Sequence, residues 1–443
     1  MARPRPPVHQ LVHILGGALR GLGLAAAPLD VERWGFALHG ALSAPGREYH
    51  NHDHVLELAD GGRGEPLDVL AALYHDAIYL QVDQGPPPAM AAELARVLDH
   101  TDVGWQVRAP STPAVADVLV VFGRAAGDWV TPAAGINELA SALIAALHLG
   151  ATLDRAALVT LAMAIEQTIP FRSEPVAPLV ARGAALGFDP PAVEAMVRRA
   201  VRFANRDVDN FATPDPGRFL DSTWKLLPES NPTLQLPWVY TVRDYRIALE
   251  KMEGFLGSLP AERVFHRWDG EPSADVHAER VRQATANLDL AVRYLRIKLY
   301  SIAVVEALCD ATGGDVPLDY FMGGPPGPAE APLRVDGHLP AVARPADRDP
   351  VLDALLTAGR ASPSSFDTGP SPLAAFLHAT CSDAAIARGL ATARELWAGR
   401  RTAHDFLRDQ PTAVADIAAA AAEIVETRAD ALRGLAARLR TTE

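Results

Sequence analysis

The chain has 443 residues, of which 49% are hydrophobic, so it can bury a sizeable core and is not intrinsically disordered. Its 41 basic and 54 acidic side chains give a net charge of −13, which argues against a general binder of nucleic acids or anionic membranes. Two cysteines exclude a disulfide framework, and no segment reaches the ~18 uninterrupted apolar residues of a membrane span, so we expect a cytoplasmic protein.

The first half of the chain is predicted to form short helices, because apolar residues recur every three or four positions between glycine and proline stops. Residues 101–135 are rich in proline, glycine and threonine and are predicted to be an insertion, with a strand-like apolar run at 115–121. The predicted helices cover 8–43 in one or two pieces, a segment holding His50 and His54 that ends near Leu58, 67–79, 90–100, a helix beginning at Asn137 as its cap, 156–168, 192–210 and 218–227.

The second half is predicted to contain longer helices, of which 276–311 has the clearest amphipathic pattern. A second strand signal lies at 234–242. Residues 323–350 are dense in glycine and proline and are interpreted as a linker. We therefore predict an all-α fold with a first helical domain over 1–235, long amphipathic helices over 236–322, the linker, and an alanine-rich helical region over 351–443 that includes helices at 383–399 and 412–440.

The densest grouping of side chains with metal-ligand chemistry lies in two short segments. His50, His52 and His54 fall within five residues, and the pair His75-Asp76 ends the apolar run that follows. Neutral imidazoles and carboxylates are ligands of divalent Zn, Mn, Fe and Ni. If the first segment is helical, as its flanks favour, His50 and His54 share a face one turn apart; a strand would place all three histidines on one face.

Three motifs carry a resemblance to a known family. They are Arg47-x-Tyr49-His50-Asn51-x-x-His54-Val55, His75-Asp76-x-x-Tyr79 and Asn137-Glu138-x-x-Ser141-Ala142. Their spacing resembles that of the HD-domain superfamily, and more narrowly its small predicted metal-dependent phosphohydrolases, over about residues 30–230. The resemblance implies an HD-domain-like helical bundle that holds a divalent cation (Mn, Fe, Mg, Zn or Ni). The ligands it implies are His50, His75, Asp76 and Asp207, with Asp209 as the alternative for the last.

The activity that the resemblance implies is hydrolysis of a phosphate ester or nucleotide by a water that the cation activates. Within such a site, Glu138 is the candidate for base, and His54 is the candidate to orient water or meet the leaving group. Arg47, Arg206 and Lys225 are the candidates to hold a phosphate, because phosphoryl transfer depends mostly on positioning and charge. A small phosphorylated molecule is therefore the expected partner.

Two departures from the family pattern leave alternatives open. The stretch between His75-Asp76 and Asp207 is longer than in the small family members, and residues 166–170 lack the histidine that the family often has there. One alternative is an HD-type di-iron oxygenase, which needs two more histidines and has only His100 and His148 available. The other is a non-catalytic HD-fold protein that binds a partner.

Residues 240–443 carry no recognisable site in the sequence. An amphipathic helix as long as 276–311 is expected to pack against the first domain or against a second copy of the chain. A homodimer through residues 276–311 is the hypothesis that follows.

Overall fold

The computed structural model describes residues 5–441 apart from 63, 103, 174, 238, 325–332, 344, 346–347 and 363. These residues contain twenty α-helices and three short strands, so the fold is almost wholly helical, as predicted. The chain divides into two compact units: the first comprises Met1–Ala212 and Pro260–Thr285, and the second comprises Thr213–Leu259 and Ala286–Glu443.

The division differs from the predicted boundary at residue 235, because residues 213–235 belong to the second unit and the later segment Pro260–Thr285 belongs to the first. The Asn205 side chain donates to the backbone carbonyl of His266 and accepts from its N–H, both at 2.8 Å. This pair of hydrogen bonds ties the segment 260–285 to the helix that carries Asn205. Such a contact joins residues that are far apart in the sequence, and no local pattern announces it.

The first unit is built around a helix that is apolar apart from one acid, Asp68. Its helices are α1 Pro7–Gly21, α2 Pro28–Leu42, α3 His52–Gly61, α4 Pro66–Tyr74, α5 Ala91–Leu94, α6 Pro113–Val121, α7 Ile136–Leu149, α8 Arg155–Gln167, α9 Val176–Ala185 and α10 Pro190–Asp207. Helix α4 contacts α1, α3, α7 and α8, and every residue from Asp68 to Tyr74 is buried. A helix without a polar face needs neighbours on all sides, so its C-terminal end lies deep in the unit.

The insertion contains the only sheet in the described residues. Strands β1 Leu98–Thr101, β2 Gly104–Val107 and β3 Trp129–Val130 pair antiparallel in that order. The predicted strand at 115–121 is wrong, because this run belongs to α6. Thr112 caps that helix by accepting from the Val115 N–H, and Pro113 occupies its first turn, which together favour a helix over the β-branched signal. The predicted helix 90–100 is reduced to the single turn of α5 followed by β1.

The second unit is helical throughout its described part. It contains α11 Pro216–Ser230, α12 Val242–Ser258, the later part of α13 Ala274–Thr312, α14 Leu318–Met322, α15 Pro350–Thr357, α16 Pro372–Thr380, α17 Asp383–Trp397, α18 Ala403–Arg408, α19 Ala413–Ala421 and α20 Ala429–Arg440. The predicted strand at 234–242 is wrong: a capping box formed by Thr241 and Asp244 starts α12 there. The predicted helix 218–227 continues to Ser230 in α11, with Pro228 in the last turn, where few backbone bonds remain to be lost.

The long predicted helix 276–311 is confirmed as α13. Apolar side chains between Ala291 and Leu308 are buried within the single chain, which accounts for the amphipathic pattern without a second copy. In the predicted linker, residues 325–332, 344 and 346–347 lie outside the described residues, and Val335–His338 forms a short 3₁₀ turn. Among the described helices, none combines the length and the apolar character needed to cross a membrane.

Candidate metal centre

His75 and Asp76 lie in the turn immediately after α4. His75 is 2% exposed, and its Nδ1–H donates to the carbonyl of Ala72 at 2.9 Å. Because a carbonyl can only accept, the lone pair of the neutral ring is on Nε2. The fixed backbone bond therefore orients the ring and leaves Nε2 to act as a ligand, which is the usual arrangement of a metal-bound histidine.

Three side chains, Asp76, Asp207 and His54, converge around His75 Nε2. This atom lies 2.9 Å from Asp76 Oδ2 and 3.3 Å from Asp207 Oδ1. His54 Nε2 lies 3.1 Å from the same Asp207 oxygen and 3.6 Å from Asp76 Oδ2. His75 Nε2 and Asp76 Oδ2 are both buried and have no hydrogen-bond partner outside this cluster. A cation between them would satisfy both atoms, whereas unpaired buried polar atoms are otherwise costly.

The charges of this cluster favour a cation. Burial alone would lower the pKa of His75, but the carboxylates of Asp76 and Asp207 raise it well above its usual value. Burial would raise the pKa of both aspartates, but His75 and the neighbouring histidines hold them well below their usual range. The two carboxylates therefore stay ionised and stabilise positive charge at the position of the His75 ring nitrogen.

The histidine brought to this cluster from the first motif is His54, and not His50. Asn51 caps α3 by accepting from the N–H groups of Asp53 and His54, so His50 precedes the helix and does not share its face. The expectation of two histidines one turn apart on one helix is corrected accordingly. His50 lies beside the cluster, with its ring centroid 6.1 Å from that of His54 and 4.7 Å from that of Tyr79.

Among the described residues, one group of three or more metal-ligand side chains has ligand atoms all within 4.8 Å of one another: His54, His75 and Asp76. Asp207, the last residue of α10, adjoins this group. Asp209, its alternative, is 56% exposed at the side chain and pairs with Arg280 at 3.3 Å. The geometry thus brings Asp207, and not Asp209, to the cluster.

The guanidinium group of Arg47 donates all its hydrogen bonds to other groups of the protein, so no donor is left for a phosphate. Its Nε and Nη2 form two hydrogen bonds to the carboxylate of Asp83, at 2.8 and 2.6 Å. Its remaining N–H groups meet the backbone carbonyls of His50, Asp76 and Ala77. An arginine offers five N–H donors, and all five are taken. The expectation that Arg47 holds the substrate is therefore corrected: it ties the two histidine segments together.

The other two candidates for a phosphate clamp also have partners within the protein. Arg206 donates to the carbonyl of Gly61 at 3.1 Å and to Asp68 Oδ2 at 2.9 Å. Lys225 belongs to the second unit, where it lies 3.4 Å from Asp221. Neither is placed in the cluster of His54, His75, Asp76 and Asp207.

Two side chains of the third motif, Asn137 and Ser141, accept hydrogen bonds from the loop that follows Asp76. Ser141 Oγ accepts from the N–H of Ile78 at 3.0 Å, and Asn137 Oδ1 accepts from the N–H of Leu80 at 3.1 Å. Asn137 was predicted to cap its own helix, but α7 begins at Ile136 after Gly135, and the Asn137 side chain reaches the loop instead. The motif fixes the position of Asp76 through the backbone.

Glu138 lies in the first turn of α7 and is half-buried. Burial, with a further contribution from the Asp76 charge, raises the pKa of Glu138 to about 7, although Arg172 and His50 act in the opposite direction. A carboxyl with this pKa exchanges its proton near neutral pH, which suits a general acid or base.

The raised pKa of Glu138 has a consequence for stability in the metal-free protein. The folded state holds the proton up to pH about 7, while the unfolded chain releases it near 4.5. The free energy of unfolding is therefore expected to fall between pH 4.5 and 7 and to level off above, with a Glu138 share of roughly 1–2 kcal/mol after allowance for its partial exposure.

In Glu138→Gln, urea unfolding should show a gain of this size at pH 8 and none at pH 4.5. The exposed Glu32→Gln should show no such trend; equal pH profiles for Glu138→Gln and the unmodified protein would contradict the raised pKa.

The two further histidines that a di-iron site would need are placed elsewhere. His148 contacts the hydroxyl of Tyr74 through Nδ1 at 3.0 Å and the Glu93 carboxylate through Nε2 at 2.8 Å. His100 stacks on Trp105 in the insertion sheet. Both nitrogens of His148 therefore already have partners.

Aromatic side chains that the sequence interpretation did not assign also surround the cluster. The ring of Tyr49 is 4.9 Å from that of His54, and the ring of Phe203 is 5.9 Å from that of His75. Tyr49 and Tyr79 belong to the first and second motifs, so their positions in the sequence could have indicated that they lie near the cluster. Phe203 is one apolar residue among many in α10, and only the fold distinguishes it.

No family model matches this chain. No curated protein and no solved structure matches it significantly either. A resemblance to HD-type proteins is therefore an expectation from the motif spacing in the sequence.

The donor set fits a divalent cation. Two imidazoles and two carboxylates suit Mn, Fe, Zn or Ni, and the buried atoms His75 Nε2 and Asp76 Oδ2 face each other with no partner outside the cluster. His54 and Asp207 supply the other two ligand atoms. These four residues would hold the ion.

Proposed function

We propose that the first unit is a metal-dependent phosphohydrolase that acts on a phosphate ester or a nucleotide. The observation that carries the proposal is the convergence of His54, His75, Asp76 and Asp207, in which two buried ligand atoms have no partner outside the cluster. The HD-like motif spacing supports hydrolysis of a phosphate over other metal chemistry.

In this mechanism a bound divalent cation would polarise a phosphoryl oxygen and neutralise the charge that develops on it. The chain's own part is positioning and proton transfer. Glu138 takes the proton from the attacking water and returns it to the leaving group, a role for which its pKa of about 7 is suitable. Arg47 holds the Asp76 backbone through its carbonyl, so that both ligand segments keep a fixed distance.

The test is a hydrolysis screen of the full chain with p-nitrophenyl phosphate, bis-p-nitrophenyl phosphate and nucleoside mono- and triphosphates, each with added Mn, Mg, Fe, Zn or Ni. We expect metal-dependent release of phosphate or nitrophenol. Asp76→Asn is expected to reduce the rate to the uncatalysed background, and Glu138→Gln is expected to reduce kcat by about 10²–10⁴-fold while metal binding is retained. Asp209→Asn, which changes an exposed acid nearby, is the matched control and should keep full activity.

Two outcomes of this screen would point away from hydrolysis. A protein that binds the metal but hydrolyses none of these esters would favour the non-catalytic alternative. Oxygen consumption with two irons per chain would favour the oxygenase alternative, which no contact of His100 or His148 supports.

A further inference from the structure

The loop 168–172, which follows α8, lies beside the proposed base Glu138. A Cβ atom added to Gly135 would lie 2.5 Å from Ile169 Cδ1 and 3.5 Å from Glu138 Oε2. Ile169 and the Glu138 carboxylate therefore flank the same point at the start of α7. The residues that follow Ile169 in this loop are candidates to contact a substrate at the metal centre.

The same loop adjoins the end of α10, which supplies Asp207. The ring of Phe171 is 5.8 Å from that of Phe211, which belongs to the turn Asp209–Ala212 that follows α10. Phe171 adopts a φ of 58°, a conformation that residues other than glycine rarely take and that clusters at functional sites. The loop therefore lies next to both the proposed base and one of the proposed ligands.

Arg172 ends this loop and has donors that its own partners do not use. Its Nη1 donates to Glu166 Oε1 at 2.8 Å, and its Nη2 donates to Oε2 and to the backbone carbonyl of Glu166 at 3.0 and 2.9 Å. A guanidinium has five N–H groups, and within the described residues its buried Nε has no hydrogen-bond partner. The side chain is 26% exposed, so a dissolved anion can reach it. An unused buried donor of this kind favours an acceptor from outside the chain.

The guanidinium groups around Glu166 outnumber its carboxylate. Glu166 is 1% exposed, and its Oε1 accepts from Arg182 Nη1 at 2.8 Å as well as from Arg172. Two arginines thus share one carboxylate, which leaves one positive charge in excess. Burial raises the pKa of Glu138 and lowers that of His266, and on both groups the charge of Arg172 acts to lower the pKa. The positive charge therefore extends to the proposed base, where an anion would balance it.

We propose that Arg172 binds the phosphate group of the substrate at the metal centre. This inference rests on the proposed phosphohydrolase function and supplies the phosphate contact that the sequence motifs did not, since Arg47, Arg206 and Lys225 have other partners in the fold. A guanidinium offers charged, planar donors to phosphate oxygens, and phosphoryl transfer depends mostly on positioning and charge.

Titration calorimetry with inorganic phosphate tests this binding without turnover. The full chain is titrated with and without bound Mn. The native protein is expected to bind phosphate, and Arg172→Met is expected to weaken the binding at least about tenfold, because a charged donor is lost. Arg172→Lys, which keeps the charge, is expected to retain part of the affinity. A native protein that binds no phosphate in either form would overturn the proposal.

Two controls separate this effect from a general disturbance of the site. Arg172→Met is expected to fold with Mn affinity within twofold of the native value, because Glu166 keeps Arg182 as its partner. Arg124→Met is the matched control: Arg124 is partly buried and donates to the carbonyl of Ala134, just before α7, at 3.1 Å, and its loss should change phosphate affinity less than threefold. Phosphate affinity within threefold of native in Arg172→Met, or a larger loss in Arg124→Met, would overturn the role of Arg172.

Ester hydrolysis distinguishes a failure of this inference from a failure of the proposed function. In a chain that hydrolyses a phosphate ester, Arg172→Met is expected to raise KM at least about tenfold. Hydrolysis by Arg172→Met with unchanged KM would refute the role of Arg172 and leave the phosphohydrolase intact. Phosphate binding that depends on Arg172, in a chain that hydrolyses no ester, would refute the activity and leave the anion site.

Discussion

Replacing His54 with alanine is expected to weaken divalent metal binding about a hundredfold or more, whereas replacing His50 should change it less than tenfold. Loss of groups that only support a ligand already costs about 10–100-fold in metal affinity, so loss of a ligand should cost at least as much. His54 Nε2 is within 3.6 Å of both carboxylates, whereas the His50 ring lies beside the cluster. The difference between the two variants tests whether His54, as in the structure, or His50, as the motif spacing implied, is the ligand.

The measurement is competition of each variant with a chromogenic chelator for Zn and Mn, together with circular dichroism to establish that each variant is folded. His52→Ala is the matched control, since His52 stands between the two histidines and lies outside the group of close ligand atoms. A larger loss of affinity in His50→Ala than in His54→Ala would reverse the assignment.

Arg47→Ala is expected to destabilise the protein by about 3–5 kcal/mol. The side chain is buried, and its removal leaves the Asp83 carboxylate, which is itself 4% exposed, without its ion-pair partner. Removing one member of a buried pair costs this much because the other charge stays uncompensated. Three backbone carbonyls also lose their donor.

Urea unfolding monitored by circular dichroism measures this loss. Arg33→Ala is the control: Arg33 forms an exposed pair with Asp30, and such pairs contribute under about 1 kcal/mol. The double variant Arg47→Ala/Asp83→Ala should recover part of the loss, because no unpaired charge remains. A loss below about 1 kcal/mol in Arg47→Ala would show that the guanidinium does not hold the two segments together.

The helical class could be predicted from the sequence because the apolar spacing is local. Helix α13 was identified nearly residue by residue, since its pattern continues over many turns without a break. The run 115–121 was misread because β-branched residues favour strands on average, whereas burial within the insertion and the Thr112 cap decide the local structure.

The candidate site could be predicted in part. His75, Asp76 and Asp207 come together as the motifs implied, but the choice between His50 and His54 depended on where one helix begins, and Asn51 decides that by capping it. The role of Arg47 depended on Asp83, an acid outside every motif. The side chains of Trp224, Lys298 and Arg360 meet at Asp367 through tertiary contacts alone, so no sequence pattern could reveal this arrangement.

The central claim is that His54, His75, Asp76 and Asp207 hold one divalent cation. Elemental analysis of the purified protein, after saturation with Mn, Fe, Zn or Ni and removal of the unbound metal, tests it most directly. We expect about one ion per chain in the native protein and only background metal in His75→Ala and Asp76→Ala. A native protein that retains none of these metals, or folded variants that retain as much as the native protein, would contradict it.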